Sequence, residues 1–273
     1  MISILFAKTF FLVGLMLVIT TICTRINKEY ETTLEAILTF LGTFVFLFAL
    51  LGFSDIFPLN IFLVSCFAAV MGWSLGPTIT FIGKRFKFKR FLKKRGIQFK
   101  KDPKDPKNKA KQICYKEDKA GKMHILEDTE IKALTTEFES EIARGGDPYN
   151  KEWQNIIFQA MLGTTIAVFA TGSLVFMSDI DFSFLGIFLF IALSILIVMT
   201  LLNMFFFKSR FFSLVKAYFG VLIFTLYLLY DFDRLESLSA EGETSWSAAI
   251  HIAVNLYLDI INLFLDLLQI LAD

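Results

Sequence analysis

The sequence predicts an all-α polytopic membrane protein: a bundle of seven transmembrane helices with one polar insertion. Three observations predict it. First, 55% of the 273 residues are apolar and the mean hydropathy is +0.61, well outside soluble globular usage. Second, seven apolar stretches, at 2–23, 33–53, 59–82, 156–177, 182–207, 212–230 and 248–271, come close to or exceed the roughly 20 residues that cross a bilayer. Helices are the expected form, because in lipid they satisfy their own backbone groups. Third, the net charge is only +1, yet 14 of the 27 Lys and Arg lie within 84–111. The expected organisation is three spans over 1–83, an insertion over 84–152, and four spans over 153–273.

The first span lacks the basic n-region and small-residue cleavage site of a signal peptide and reads as a retained helix. Lys8 lies close enough to one end to snorkel. Glu35 opens the second span two residues inside its boundary, where interfacial water would solvate it. In the third, Gly72 and Gly76 stand four apart and let a neighbouring helix approach closely. Pro77 removes a backbone donor and should kink the span. Such a break serves either ordinary packing or a pathway. Cys23, Cys66 and Cys114 are odd in number and show no metal spacing, so neither a disulfide framework nor a zinc site is expected.

The insertion has two halves. Residues 84–111 hold 14 basic and 2 acidic residues, a net of +12, with Phe86, Phe88, Phe91 and Phe99 interleaved. Directly after a membrane helix, such a run is expected to meet anionic lipid headgroups over 84–101 rather than nucleic acid. Residues 112–152 hold 6 basic and 10 acidic residues, a net of −4. The Asp102-Pro103-Lys104-Asp105-Pro106-Lys107 stretch reads as a linker. Asp128 or Thr129 can then cap a helix over 128–144, ended by Gly145-Gly146. Its Ile131, Leu134, Phe138 and Ile142 recur at helical spacing, a face that needs the membrane domain or a protein partner to cover it.

The fourth and fifth spans are joined by a short acidic turn, and Asn203 late in the fifth reads as interhelical glue. The seventh carries His251, Asn255, Asp259, Asn262, Asp266 and Gln269 at intervals of 4, 4, 3, 4 and 3. At about 100° per residue all six fall within an arc of about 80°. An amphipathic helix lying on the membrane would show this pattern, as would an intramembrane helix whose polar face turns inward. The stripe lacks the flanking Lys/Arg of an interfacial helix, which favours the second reading.

Leu256-Tyr257-Leu258-Asp259-Ile260-Ile261-Asn262-Leu263-Phe264-Leu265, together with Leu226-Tyr227-Leu228-Leu229-Tyr230-Asp231, resembles the Bax inhibitor motif family of membrane proteins. The likeness extends through 184–206 and 161–175, and more weakly to Gly72, Leu75 and Pro77. It covers all seven spans but not the insertion. The resemblance implies a bundle with the last helix at its centre, a pH-dependent Ca²⁺ leak and, in eukaryotic members, suppression of cell death. It further implies that two aspartates share a proton and gate the pore; the matching positions are Asp231 and Asp259. This chain departs from the family in its acidic turns after the second and fourth spans, where basic residues are common, and in its long insertion.

Asp259 lies about 12 residues into its helix, roughly 18 Å at the standard rise. It can meet Asp231 if the sixth helix runs on past Arg234 instead of ending at Tyr230. Nothing between Phe232 and Ala240 forbids helix, and Gly242 is the first breaker, so the sixth helix is expected to reach about residue 238. Basic residues follow spans one, three and five, which places the insertion in the cytoplasm or matrix.

The leading functional expectation is a cation pathway gated by Asp231 and Asp259 and lined by Asn255, Asn262 and Asp266. Ca²⁺ favours several hard oxygen ligands, and two close carboxylates in a poorly solvated site cannot both ionise cheaply. Ca²⁺ would pass transiently, and no resident cofactor or metal is expected. The competing expectation is a non-transporting structural or regulatory subunit of a larger membrane complex, docked through the insertion. An enzyme is not expected, since the residue one turn after His251 is Asn255, which cannot orient a histidine base as a carboxylate would. The membrane could be a bacterial plasma membrane, the endoplasmic reticulum or the mitochondrial inner membrane.

Overall fold

The computed structural model describes residues 3–101, 112–117, 123–178, 180–203, 206 and 209–273. Among the described residues, seven helices are long and apolar enough to cross a membrane. They are α1 (Ile4–Ile26), α2 (Thr33–Phe53), α3 (Leu59–Lys94), α5 (Asn150–Met177), α6 (Leu185–Leu202), α7 (Arg210–Ala240) and α8 (Trp246–Leu271). Between α3 and α5 lie β1 (Ile97–Lys101), β2 (Gln112–Glu117), β3 (Met123–Ile125) and α4 (Asp128–Gly145).

The membrane part is all-α, and its hub is α8. That helix touches α1, α3, α5 and α7, and its Ala249, Ile252, Ala253, Leu256, Tyr257 and Leu263 are buried in the main core. By contrast α2 and α6 show most of their apolar surface outward, as lipid-facing helices do. Two helices run further than their apolar stretches. The third is continuous for 36 residues, through Pro77 and three turns past the end of its apolar stretch at residue 82. The seventh continues to Ala240, where Gly242 adopts φ +81° and turns the chain. The extension expected past Arg234 is therefore present.

The α1–α3 seam shows what the small residues do. A Cβ on Gly72 would sit 2.5 Å from the Thr20 carbonyl oxygen, and one on Gly76 only 1.8 Å from that of Asn27. The close approach lets α1 donate into the α3 backbone. Thr20 Oγ1 bonds the Ala68 carbonyl at 3.1 Å, Thr24 Oγ1 that of Gly72 at 3.1 Å, and Asn27 Nδ2 that of Trp73 at 2.9 Å. The last bond has a specific reason. In a helix the Trp73 carbonyl accepts from the N–H four residues on, and that residue is Pro77, which has none. Asn27 supplies the missing donor.

Several expectations are revised here. Glu35, expected only to be solvated at the interface, also accepts from Trp73 Nε1 at 2.8 Å and from the Glu31 N–H at 2.8 Å. Lys8 fastens α1 to the α7–α8 turn, donating to the Thr244 carbonyl at 2.5 Å with its ammonium 4.7 Å from the Trp246 ring centre. Asn203 is not interhelical glue, since its Oδ1 accepts from the Ser209 N–H and braces the α6–α7 connection.

The insertion folds on itself. Residues 84–94 are the last three turns of α3 rather than a loose basic arm. Their aromatic rings turn inward: Phe86 packs on Trp153, and Phe88 and Phe91 on Phe138. Ile131, Leu134, Phe138 and Ile142, the face of α4 that needed a partner, close on these rings and on Leu92, Ile97 and Tyr149. The N-cap of that helix is Glu127, one residue before Asp128 and two before Thr129, and its N–H donates to the Glu130 carboxylate. The two charged halves answer each other, with Lys87 on Asp147, Arg90 on Glu152, and Arg95 on Glu137 and Glu141. The antiparallel sheet β1-β2-β3, with Ile97 opposite Lys116 and Tyr115 opposite Ile125, is an addition to the all-α expectation. Ile97 and Phe99 alternate with Gln98 and Lys100, a period-two signal hidden under the charge count. The linker read at 102–107 lies outside the described residues.

Candidate functional site

The polar stripe of α8 faces protein on both of the sides that matter. On one side Tyr257, fully buried, reaches Thr20 at 2.6 Å. Because the Thr20 hydroxyl gives its only hydrogen to Ala68, Tyr257 is the donor, and one hydroxyl pair ties α1, α3 and α8 together. Leu256 and Ile260 turn instead into an apolar cleft of about 550 Å³, lined also by Phe10, Val168 and Phe232.

The other side of α8 meets α7, and here the acidic residues gather. Asp231 is 2% exposed and Asp259 is 6% exposed. The two carboxylates lie close enough to act on each other, with the Asn255 amide beside Asp231. Oδ2 of Asp259 is buried with no donor beside it. Two carboxylates can bond each other only when a proton lies between them, since the ionised groups are both acceptors. Tyr227, one turn before Asp231, stands close enough to feel both carboxylates, and Arg234 acts on Asp231 from the other side.

The stripe continues toward the insertion side. Asn262 is half-buried, and Asp266 is buried at 7% exposed. Asp266 presses on the backbone of α7, where a Cβ on Gly220 would lie 1.9 Å from its Oδ2. Lys216 acts on it electrostatically. Gln269 then donates to Ser213 Oγ at 2.5 Å. The α7 residues involved, 213, 216, 220, 227 and 231, fall within about 60° of one another at the helical repeat. The α8 stripe is thus matched by a complementary one on α7, and the two form a polar seam through an apolar bundle.

The structure brings together Asp231, Asp259 and Asn255, and sets Asn262 and Asp266 further along the same seam. Sequence reading missed the partners on α7. Ser213, Lys216, Gly220 and Tyr227 recur at helical spacing and could have been found by asking which helix answers the α8 stripe. It also missed Asp233, which is buried. That residue reads as one of the charges leaving the membrane only if the helix ends at Tyr230.

Comparison with known proteins places the resemblance on the same region. Residues 149–273 match the model of the family described as inhibitor of apoptosis-promoting Bax1. Protein LIFEGUARD 4 of Arabidopsis thaliana is 39% identical over 118 residues, 42% of this chain and 46% of that protein. The Golgi anti-apoptotic protein of Vaccinia virus (strain Lister) is 42% identical over 118 residues, 43% of this chain and 47% of its own length. An uncharacterized protein of Campylobacter jejuni is 35% identical over 118 residues, 43% and 48% of the two chains. The chain spans about half the length of the curated relatives it matches.

Proposed function

We propose, from the premise that this integral membrane protein belongs through residues 149–273 to the Bax inhibitor family, that its α7–α8 seam is a proton-sensitive cation pathway. The observation that carries the reading is the buried Asp231–Asp259 pair, facing across two helices with one oxygen unanswered. Buried carboxylates are expensive in a bilayer and are kept where they face a pathway or a partner. Here each is the other's partner, which is stable only while a proton is shared. Loss of that proton leaves two like charges in a poorly solvated seam, and the seam must then open, admit water or take in a cation. Asn255, Asn262 and Asp266 supply the further oxygens along which Ca²⁺ would move, since that ion favours several hard ligands. No covalent chemistry is asked of any residue in this reading.

Flux measured in liposomes reconstituted with the full chain tests it. Wild type should pass Ca²⁺ in a pH-dependent way, and Asp259→Asn should abolish the pH dependence, because an amide cannot titrate. Unchanged pH dependence in that variant would falsify the gate.

The reading as a subunit of a larger complex then takes first place. It is narrowed by the fold, since α3 already covers the apolar face of α4. A protein partner at 128–144 would have to use the polar face. The basic residues over 84–101 are taken to meet anionic headgroups, as their place at the end of a membrane span favours.

A further inference from the structure

The apolar cleft of about 550 Å³ that opens beside α8 lies between α1 and α5 and has the size of an ordinary ligand cleft, about 300–1,000 Å³. Phe10, Val13 and Leu17 line it from α1, and Val168, Gly172 and Phe176 from α5, so on both helices the lining repeats at successive turns. The cleft is therefore a groove along the helix axes, about 10 Å long on α1 at the helical rise. Its floor is Ile260 of the hub helix, half-buried, with Phe232 of α7 beside it. Its rim on α5 is formed by the exposed Phe169 and Met177. Rings close the end away from the insertion, with Phe6 5.2 Å from Phe176 and Phe10 6.4 Å from Phe232.

The surroundings of the groove decide what can enter it. Phe11 and Val18 of α1 and Ile166 of α5 are exposed apolar residues of the same two spans, so the groove is continuous with the surface that these helices turn to lipid. Water is a poor occupant. A buried water needs about two to four polar partners, and among the described residues of the lining Ser173 alone has a polar side chain. Hydrocarbon is a good one, because walls left without neighbours forfeit dispersion contacts. Moving a chain from lipid into the groove changes no exposure to water, so the gain is one of packing. Gly172 gives the groove its width. A Cβ there would lie 3.5 Å from the Phe232 ring, an ordinary contact, whereas those of Gly72 and Gly76 would fall on the backbone of α1. Close helix packing is thus the role of the α3 glycines and not of Gly172.

We infer that this groove binds one acyl chain of a bilayer lipid, which enters sideways between α1 and α5 and lies along Ile260. Chain and groove share a direction, since both run with the membrane spans. A flexible chain can follow the uneven wall that Val13, Leu17 and Val168 present. The site differs from the general lipid contact of α2 and α6 because it reaches the hub of the bundle. Ile260 and Phe232 follow Asp259 and Asp231 in sequence, so the bound chain borders both helices of the polar seam from their apolar sides. The site does not require that any ion be transported.

Photolabelling of the full chain in liposomes tests it. The liposomes are phosphatidylcholine with a trace of the same lipid carrying a diazirine on one acyl chain, and peptide mass spectrometry locates the adducts. Adducts are expected at Ile260 in the groove as well as at outward residues such as Ile187 of α6, which is exposed. Gly172→Leu puts a branched side chain into the groove and should cut labelling at Ile260 about ten-fold, because a filled site admits no chain. Labelling at Ile187 should stay as it was. Ser173→Phe fills the groove from its rim and should act in the same way, so the result does not rest on one variant. Thermal unfolding in detergent shows that each variant is folded. Gly52→Leu, the same change in open space on α2, should leave Ile260 labelling within about two-fold, as exposed substitutions do. Adducts confined to outward residues, or Ile260 labelling that survives in both filled variants, would overturn the site. Loss of Ile260 labelling when cholesterol is added to the wild-type liposomes would give the groove to a sterol and overturn the acyl chain as its occupant.

Discussion

Asn27 and Pro77 are 50 positions apart in sequence, yet each explains the other. The proline deletes the donor that the Trp73 carbonyl would use, and the asparagine replaces it from a neighbouring helix. Asn27→Ala should therefore destabilise by about 1–3 kcal/mol, the cost of a buried acceptor left unmet. In a Pro77→Ala background the helix regains its own N–H, so the same substitution should cost clearly less. Thermal unfolding of the four proteins in one detergent measures this coupling, and strictly additive effects would contradict it. Gly220 has a similar dependence on Asp266. A methyl there would occupy the space of the carboxylate oxygen, so Gly220→Ala should cost about 1–3 kcal/mol by overpacking. Asp266→Ala in the same chain removes the colliding atom and should restore part of the loss. Substituting Asp266 alone gives the reference needed to tell relief from simple addition.

Among the elements, what the sequence made legible follows periodicity. The α8 stripe, the paired glycines of α3 and the apolar face of α4 all recur at intervals of three and four and can be read without a structure. Their counterparts are harder to read. Nothing local says that the α4 face is met by Phe88 and Phe91, because those rings sit inside a run that reads first as charge. The β1 strand was obscured in the same way. The Asp231–Asp259 approach was legible only through an argument about depth, which required α7 to outlast its apolar stretch; it does so by ten residues, from Tyr230 to Ala240. Burial of Phe138 holds α4 on α3 through the Phe88 and Phe91 rings, with Tyr149 at the start of α5 as a third aromatic contact. Phe138→Asp should release α4 while the membrane helices stay packed, since burying an unpaired carboxylate costs several kcal/mol. Limited trypsin digestion should then cut within 128–152 far sooner than in wild type, with the thermal transition of the membrane part nearly unchanged. A simultaneous collapse of both would show that the insertion is integral to the bundle.

For the whole molecule, the placement of charge fixes a direction. The extended end of α3, the start of α5 and the end of α8 meet in one cluster around Phe86, Trp153 and Leu268, so the insertion and the end of α8 share a side. By the positive-inside rule the basic turns lead us to expect that side in the cytoplasm or matrix. Protease added to sealed vesicles of known orientation should cut within 84–152 from that face, and cutting from the opposite face would reverse the assignment. The position of α8 at the hub has a consequence for biosynthesis as well. Every other span emerges from the ribosome before it, including α7 with its own row of Ser213, Lys216 and Asp231. Until Trp246–Leu271 enters the bilayer, those polar groups lack the α8 partners described above and Thr20 lacks the Tyr257 hydroxyl that joins the α1–α3 pair to α8. A nascent chain stalled before that point would present Asp231 and its neighbours on α7 to lipid without the groups that cover them in the folded bundle. Insertion of α8 is therefore the step at which the polar row of α7 and the α1–α3 pair gain the contacts described above.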